Sequence, residues 1–121
     1  MVEIDVVVVD DDKGVLFFLG ELLATLDISH KTADSGHQGL EIISQCRPRL
    51  AVLDVKLGSL TGLEVARKVV DLSPETCIIF MTGYRDVITP ELEAEAHVLA
   101  VVQKPFEVEQ FISLVEDALK Q

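Results

Sequence analysis

The chain has 121 residues, 49% of them hydrophobic, and a formal net charge of −11 because 21 acidic residues outnumber 10 basic ones. This length suits one domain with a core of its own, so we expect residues 1–121 to form a single domain without an output module. The acidic balance argues against direct nucleic-acid binding, and the lack of a basic leader or of an apolar run of about 18 residues predicts a soluble, cytoplasmic protein without a membrane partner.

Three elements are predicted in the first third of the chain. The segment IDVVVV (4–9) is a continuous, mostly β-branched apolar run, which indicates a buried strand. After it, the spacing of apolar residues predicts an amphipathic helix whose core-facing stripe is Val15, Phe18, Leu19, Leu22 and Leu26. The segment SHKTA (29–33) is a less apolar candidate for the second strand.

The middle of the chain continues the alternation of helices and strands. Residues 36–45 predict a helix, LAVL (50–53) predicts a buried strand, and residues 62–72 predict the next helix. Both helices are opened by Gly or polar residues. The segment CIIFM (77–81) then predicts a fourth strand.

The last third contains a short helix, a strand and a long helix. Thr89 is a good N-cap and Pro90 fits the first turn of a helix, which has so little apolar surface that we expect it to dock loosely. The segment LAVV (99–102) predicts the fifth strand. The final helix has an apolar stripe made of Val108, Phe111, Ile112, Val115 and Leu119.

These elements predict an α/β fold of the (βα)5 type. The strand candidates begin 21 to 27 residues apart, which leaves room for a helix in each interval. Right-handed crossovers then place helices on both faces of a parallel sheet. We therefore predict a doubly wound, flavodoxin-like sheet with strand order 2-1-3-4-5, whose ligands bind beyond the carboxyl ends of strands 1 and 3.

Polar residues follow four of the predicted strands, and a parallel sheet brings these strand ends to one edge. They are Asp10 and Asp11 after strand 1, Asp54 after strand 3, Thr82 after strand 4 and Lys104 after strand 5. Close carboxylates raise one another's pKa unless a cation neutralises them, and all-oxygen ligands suit Mg²⁺ or Mn²⁺.

Together these side chains predict a site for phosphoryl transfer. A carboxylate can act as the nucleophile and form an aspartyl phosphate, and Asp54 is placed centrally for that role. Asp10 and Asp11 would hold the metal, directly or through water. Lys104 would contact the phosphoryl oxygens, and Thr82 would donate a hydrogen bond to one of them after transfer.

The chain resembles the receiver (response-regulator) domain of bacterial two-component signalling along its whole length. The resemblance is carried by VVVVDDD, LAVLDVKLGSLTGLE, FMTGY and QKPF, four motifs in the family's order and at its spacings. It implies that Asp54 accepts a phosphoryl group from a phosphohistidine on a sensor histidine kinase or histidine phosphotransfer protein. It also implies Mg²⁺ held by Asp10, Asp11, Asp54 and the backbone carbonyl of Lys56, and a cis peptide bond before Pro105.

What such a domain does with the phosphoryl group also follows from the resemblance. It implies no enzymatic activity beyond the domain's own phosphorylation and dephosphorylation. The weakly packed helix 4 and strand 5 are the cheapest elements to shift, so we expect the signal to leave through the surface of helix 4, strand 5 and helix 5, toward an output domain or a partner protein. Lys56 and Tyr84 flank the acceptor, and we hypothesise that they tune the lifetime of the phosphoryl group.

Three positions depart from the family pattern, and one of them is Gly83, where the family often has Ala. Gly58 stands where the family usually has Pro, which predicts a more mobile loop after the acceptor. Val101 stands where an aromatic residue usually lies, three residues before the lysine, so switching by an aromatic side chain is not predicted.

Two other function classes compete with this interpretation. In a haloacid-dehalogenase-type phosphatase, Asp10 would be the nucleophile and Asp12 the acid/base, which leaves Asp54 without a role. A receiver-like interaction module that has abandoned phosphorylation is motivated by Val101 alone, because the charged set is complete. We interpret Asp12 as a helix-start residue rather than a metal ligand.

Three apolar residues lie off the predicted core stripes of helices 1 and 5. They are Leu16, Phe17 and Leu114. They are either scattered exposed residues, which are normal on any protein, or a docking patch for a helix of the phosphodonor.

Overall fold

A computed structural model of the chain describes residues 3–120. Within that range five strands and five α-helices alternate, and a short 3-10 turn, Arg85–Val87, precedes the fourth helix. The strands are β1 (Val6–Val9), β2 (His30–Ala33), β3 (Leu50–Asp54), β4 (Cys77–Thr82) and β5 (Val98–Gln103). The helices are α1 (Lys13–Thr25), α2 (Gly36–Cys46), α3 (Gly62–Leu72), α4 (Pro90–Glu93) and α5 (Val108–Leu119).

The strands form one parallel sheet with the order β2-β1-β3-β4-β5. The predicted flavodoxin-like architecture is thereby confirmed. The order reverses between β1 and β3, so the polar residues that follow these two strands lie at the point where such sheets bind ligands. Among the helices within residues 3–120, none has the length and apolar character needed to cross a bilayer.

Two hydrophobic clusters cover the two faces of the sheet. Side chains alternate along β1: Val7 and Val9 pack in the cluster under α2, α3 and α4, whereas Val6 and Val8 pack in the cluster under α1 and α5. Burial on both faces explains why the strand sequences are continuously apolar instead of alternating.

Helix α1 is rotated relative to the predicted stripe. Leu16, Leu19 and Leu23 are its buried residues, while Phe18 is half exposed. Residues 15–19 read VLFFL, so every position is apolar and periodicity alone does not define which face of the helix is inward. The predicted core role of Phe18 was wrong, and so was the predicted exposure of Leu16.

The C-terminal elements agree more closely with their predictions. The side chain of Thr89 accepts a hydrogen bond from the backbone N–H of Leu92, and Pro90 occupies the first turn of α4. This helix is only four residues long. In α5, Phe111 and Val115 are buried as predicted, and Ala118 joins them.

Candidate functional site

The carboxyl edge of the sheet brings the predicted side chains together. Asp10 follows β1, and Asp54 is the last residue of β3. Lys104 follows β5 and places its ammonium between the two carboxylates: Nζ donates to Asp10 Oδ2 at 2.6 Å and to Asp54 Oδ2 at 2.8 Å. These contacts join residues separated by 94 and 50 positions in the sequence.

Asp11 completes an acidic cluster with Asp10 and Asp54. One carboxylate oxygen from each residue lies within 4.8 Å of the others. Asp10 and Asp54 are buried, whereas Asp11 is exposed and borders the solvent. Three clustered carboxylates are an all-oxygen donor set that fits a hard divalent cation such as Mg²⁺, with coordination positions left for water.

Burial and charge shift the ionisation of this cluster. Burial, reinforced by the nearby carboxylate of Asp54, raises the pKa of Asp10 to about 6 although hydrogen bonds from Lys104 and from the Asp12 backbone oppose the shift. For Lys104, burial opposes the charged form, but hydrogen bonds to both carboxylates prevail and raise its pKa above the ordinary value. Among the described residues, Lys104 is therefore the cation that pairs with both buried carboxylates.

Two of the three consecutive aspartates stabilise the turn between β1 and α1. Asp10 accepts a hydrogen bond from the backbone N–H of Asp12 at 2.9 Å, which fixes the turn after β1. Asp12 caps α1, since its side chain accepts from the backbone N–H groups of Gly14 and Val15. Its predicted role at the helix start is confirmed.

Thr82 lies at the end of β4, beside β3. Its hydroxyl accepts a hydrogen bond from the backbone N–H of Tyr84 at 3.0 Å and donates to the carbonyl of Tyr84 at 3.4 Å. Its own backbone carbonyl accepts from the N–H of Lys104 at 2.7 Å. Thr82 thus links the two loops that flank the acidic cluster, with its hydroxyl directed to Tyr84 and not to Asp54.

The loop after β3 holds Asp54 tightly. The backbone N–H of Lys56 donates to Asp54 Oδ1 at 3.0 Å, and Gly62 N–H donates to the carbonyl of Val55 at 2.8 Å. A Cβ at position 62 would overlap the backbone carbonyl oxygen of Asp54, so the start of α3 requires glycine. Gly58 has φ +80°, a conformation that glycine adopts without strain.

Two side chains meet between the loops after β3 and β4. The ammonium of Lys56 lies 3.8 Å from the ring centroid of Tyr84, within the range of a cation–π interaction. The peptide bond between Lys104 and Pro105 is cis, as the resemblance implied.

An apolar cavity of about 310 Å³ is lined in part by Lys104, and it was not predicted from the sequence. Its lining residues are Val15, Phe18, Lys104, Pro105 and Phe106. The Phe106 ring stacks on Phe111, with centroids 5.4 Å apart. The motif QKPF supplies three of the residues that line this cavity and could have indicated it. The prediction that Phe18 lies in the core hid the residue that lines the cavity from α1.

The predicted docking patch is only partly exposed. Leu16 is buried, and Leu114 is partly buried against the cluster under α1 and α5. Phe17 is 71% exposed and Phe18 is 50% exposed. Phe17 borders a different cavity, next to Gly20 and His30, so Phe17 and Phe18 line two separate surface cavities.

Comparison with curated proteins gives a consistent set of relatives. The chain is 30% identical to the response regulator protein TmoT of Ectopseudomonas mendocina over 113 residues, which are 93% of this chain and 51% of that protein. It is 27% identical to sporulation initiation phosphotransferase F of Bacillus subtilis (strain 168) over 116 residues, which are 96% of this chain and 90% of that protein. It spans 26% of the transcriptional regulatory protein GlrR of Escherichia coli (strain K12). The chain thus spans about half the length of TmoT and about a quarter of the length of GlrR.

Solved structures share the fold along almost the whole chain. The BeF3-activated DrrB receiver domain is 31% identical, with a TM-score of 0.86 and coverage of 99% of this chain and 100% of that one. A CheY-like receiver domain protein from Methanospirillum hungatei JF-1 has a TM-score of 0.84 at 24% identity, with 98% of both chains covered. The family model of the response regulator receiver domain matches residues 6–116. This chain therefore belongs to the response regulator receiver domain family.

Proposed function

We propose that Asp54 accepts a phosphoryl group from a phosphohistidine on a sensor histidine kinase or histidine phosphotransfer protein, in a Mg²⁺-dependent reaction. One observation carries the proposal: Asp10, Asp11 and Asp54 form an acidic cluster with Lys104 bonded to its two buried members. A carboxylate oxygen of Asp54 forms the new P–O bond while the P–N bond to imidazole breaks. The departing imidazole nitrogen keeps the electron pair of that bond.

Each residue of the cluster has a defined part in this reaction. The N–H of Lys56 orients Asp54 by donating a hydrogen bond to Oδ1. The other oxygen, Oδ2, accepts a hydrogen bond from Lys104 and is the oxygen that we propose attacks phosphorus. After transfer, the ammonium of Lys104 would contact the phosphoryl oxygens and neutralise part of their charge. A bound Mg²⁺ supplies further neutralisation of phosphoryl charge; Asp10, Asp11, Asp54 and the carbonyl of Lys56 would hold it, and Mn²⁺ suits the same donors.

Phosphorylation adds negative charge and acceptor oxygens beside Thr82. We propose that the Thr82 hydroxyl leaves Tyr84 and donates to the phosphoryl group, which shifts α4, β5 and α5 to a second arrangement. The changed surface would act on an output domain or a partner protein. A cytoplasmic location and the absence of direct nucleic-acid contact by this domain are parts of the same proposal.

Labelling with acetyl phosphate or phosphoramidate tests the phosphoacceptor. We expect Mg²⁺-dependent incorporation into the wild-type chain, its loss in Asp54→Asn, and its retention in Asp12→Asn, because asparagine also caps helices. Peptide mapping should place the label on Asp54. Label on Asp10, with loss of turnover in Asp12→Asn, would favour the phosphatase, and no uptake at saturating donor would favour an interaction module without phosphorylation.

The apolar cavity beside Lys104 supports a docking site for the phosphodonor. Lys104 lines this cavity and also bonds Asp54, so a helix seated against Phe18 and Phe106 would hold its phosphohistidine next to the acceptor. We expect Phe18→Glu to slow transfer from a phosphorylated histidine kinase domain and to leave labelling by acetyl phosphate unchanged. The sequence-based prediction named Phe17, so Phe17→Glu is the matched variant. Equal rates for both variants and the wild type would contradict docking at this cavity.

A further inference from the structure

An ion pair connects α3 to the residues between α4 and β5. We refer to residues 94–97 as the linker. Arg67, on α3, donates from Nε to Glu95 Oε1 at 3.2 Å and from Nη2 to Oε2 at 3.3 Å. Two parallel hydrogen bonds to one carboxylate fix the orientation of both planar groups, which a single contact between flexible side chains does not do.

The ion pair borders a small surface cavity between α3 and the linker. A cavity of about 110 Å³ separates α3 from the linker, and it is lined by Ala66, Arg67, Val70, Glu95 and Ala96. The apolar side chains among these are short and leave the space unfilled. The Arg67–Glu95 contact is therefore a polar connection between α3 and the linker at a place where few apolar side chains fill the space between them.

The linker is also attached to the elements that the proposed switch displaces. The N–H of Ala94 donates to the carbonyl of Pro90 in α4, and the carbonyl of Glu95 accepts from the N–H of Val98, the first residue of β5. His97 has φ +67°, in the left-handed region, immediately before β5 begins. A shift of α4 or β5 thus carries Glu95 with it and stretches its contact with Arg67.

We propose that the Arg67–Glu95 pair is a latch that holds the linker on α3 in the unphosphorylated chain and opposes the shift to the phosphorylated arrangement. The proposal rests on the proposed function, because it concerns regulation of the same phosphoacceptor site. Breaking the latch favours the shifted arrangement without any change at Asp54, Thr82 or Lys104.

Hydrogen exchange in the chain without phosphodonor tests the latch directly. Arg67→Gln and Glu95→Gln should each accelerate exchange of the amides of residues 94–98 by about two- to five-fold, the range typical of exposed ion pairs. The double variant Arg67→Glu/Glu95→Arg should restore slow exchange. Lys68→Gln removes the same charge from the next position of α3 and should leave the rates unchanged. High salt should accelerate exchange in the wild type but not in the single variants.

Binding of beryllofluoride with Mg²⁺ provides a second measurement. Tyr84 is the single tyrosine of a chain without tryptophan, so its fluorescence reports on the site. The single variants should bind about two- to five-fold more tightly than the wild type, because less binding energy is used to open the latch. Lys68→Gln and the charge-swapped variant should match the wild type.

The two measurements distinguish failure of the latch from failure of the proposed function. A wild-type chain that neither binds beryllofluoride nor takes up label contradicts the phosphoacceptor function, and the exchange rates still decide whether the pair restrains the linker. Wild-type binding together with single variants that match Lys68→Gln in both measurements would overturn the latch.

Discussion

The carboxyl edge of the sheet has two halves, which differ in how firmly they are packed. The firm half comprises β1 and β3 with the helices packed on them, and the looser half comprises residues 83–106. β1 and β3 are buried along their whole length. Helices α2 and α3 lie directly against them, so closely that a Cβ at Gly39 would overlap Val9 and one at Gly62 would overlap the backbone of Asp54. Residues 83–106 are looser: α4 is a single turn, most of β5 is partly exposed, and β5 pairs irregularly with β4 near Ile78.

This difference shows how a small chemical change can be converted into a structural one. Asp10 and Asp54 belong to the firm half, whereas Lys104, which bonds both carboxylates, belongs to the looser residues 83–106, and Thr82 directly precedes them. Elements with few buried side chains cost less free energy to displace. A phosphoryl group on Asp54 is therefore expected to move the loops of the looser region and leave the acceptor strand in place.

The largest expected effect distinguishes two glycines, one from each half. Gly62→Ala should lower the free energy of unfolding by about 3 kcal/mol, because the new methyl group meets rigid backbone at Asp54. Gly83→Ala should change it by less than about 0.5 kcal/mol, because no atom lies within 4 Å of the added Cβ. Urea unfolding measures both values. Equal losses would show that the two halves do not differ in packing.

A smaller effect is expected from the ionisation of Asp10. Its pKa of about 6 lies above the ordinary value near 3.8, so the folded chain favours the protonated carboxyl. Stability of the metal-free protein should therefore rise as the pH falls from 7.5 to 5, with a contribution of about 1 kcal/mol from this group. The measurement is urea unfolding with a chelator present.

Two variants isolate the contribution of Asp10. Asp10→Asn should flatten this pH dependence, whereas Asp11→Asn removes the same charge from an exposed position and should retain it. Mg²⁺ at pH 7.5 should stabilise the wild type but not Asp10→Asn. A pH dependence in Asp10→Asn as steep as in Asp11→Asn would show that the buried carboxyl is not its source.

Features that depend on the regular geometry of a parallel sheet were predictable from the sequence. The strand order, the convergence of Asp10, Asp54 and Lys104, and the cap at Asp12 follow from apolar runs and from the residues that end them. These signals are local, and the topology places them without knowledge of any side-chain contact. The predicted chemical roles of these residues stay predictions.

Features that depend on rotation or on loop paths were not predictable. The phase of α1 was ambiguous because residues 15–19 are all apolar, and this hid the cavity beside Phe18. The contacts of Lys56 with Tyr84 and of Arg67 with Glu95 join loops or helices whose relative positions no local pattern encodes. The direction of the Thr82 hydroxyl was not predictable for the same reason, because it depends on the path of the turn at Tyr84.

The contact of Lys56 with Tyr84 bridges the two halves, and we expect it to slow the loss of the phosphoryl group by limiting access of water. Lys56→Ala and Tyr84→Ala should each accelerate dephosphorylation several-fold, measured after the phosphodonor is removed. Tyr84→Phe retains the ring that faces the ammonium and should behave as the wild type. Unchanged rates in both alanine variants would contradict shielding by this pair.

The most direct test of the comparison follows amide chemical shifts on phosphorylation or on binding of beryllofluoride with Mg²⁺. Changes should be larger over residues 83–106 than over residues 15–45, outside the neighbourhood of Asp54. The individual changes are small, but their distribution along the chain reports which half moves. Residues 83–106 contain the single-turn α4 and the partly exposed β5, whereas residues 15–45 contain α1 and α2, which are docked on buried strands. A uniform response would mean that the firm half shifts as readily as the looser one, and the packing difference would then have no part in carrying the signal.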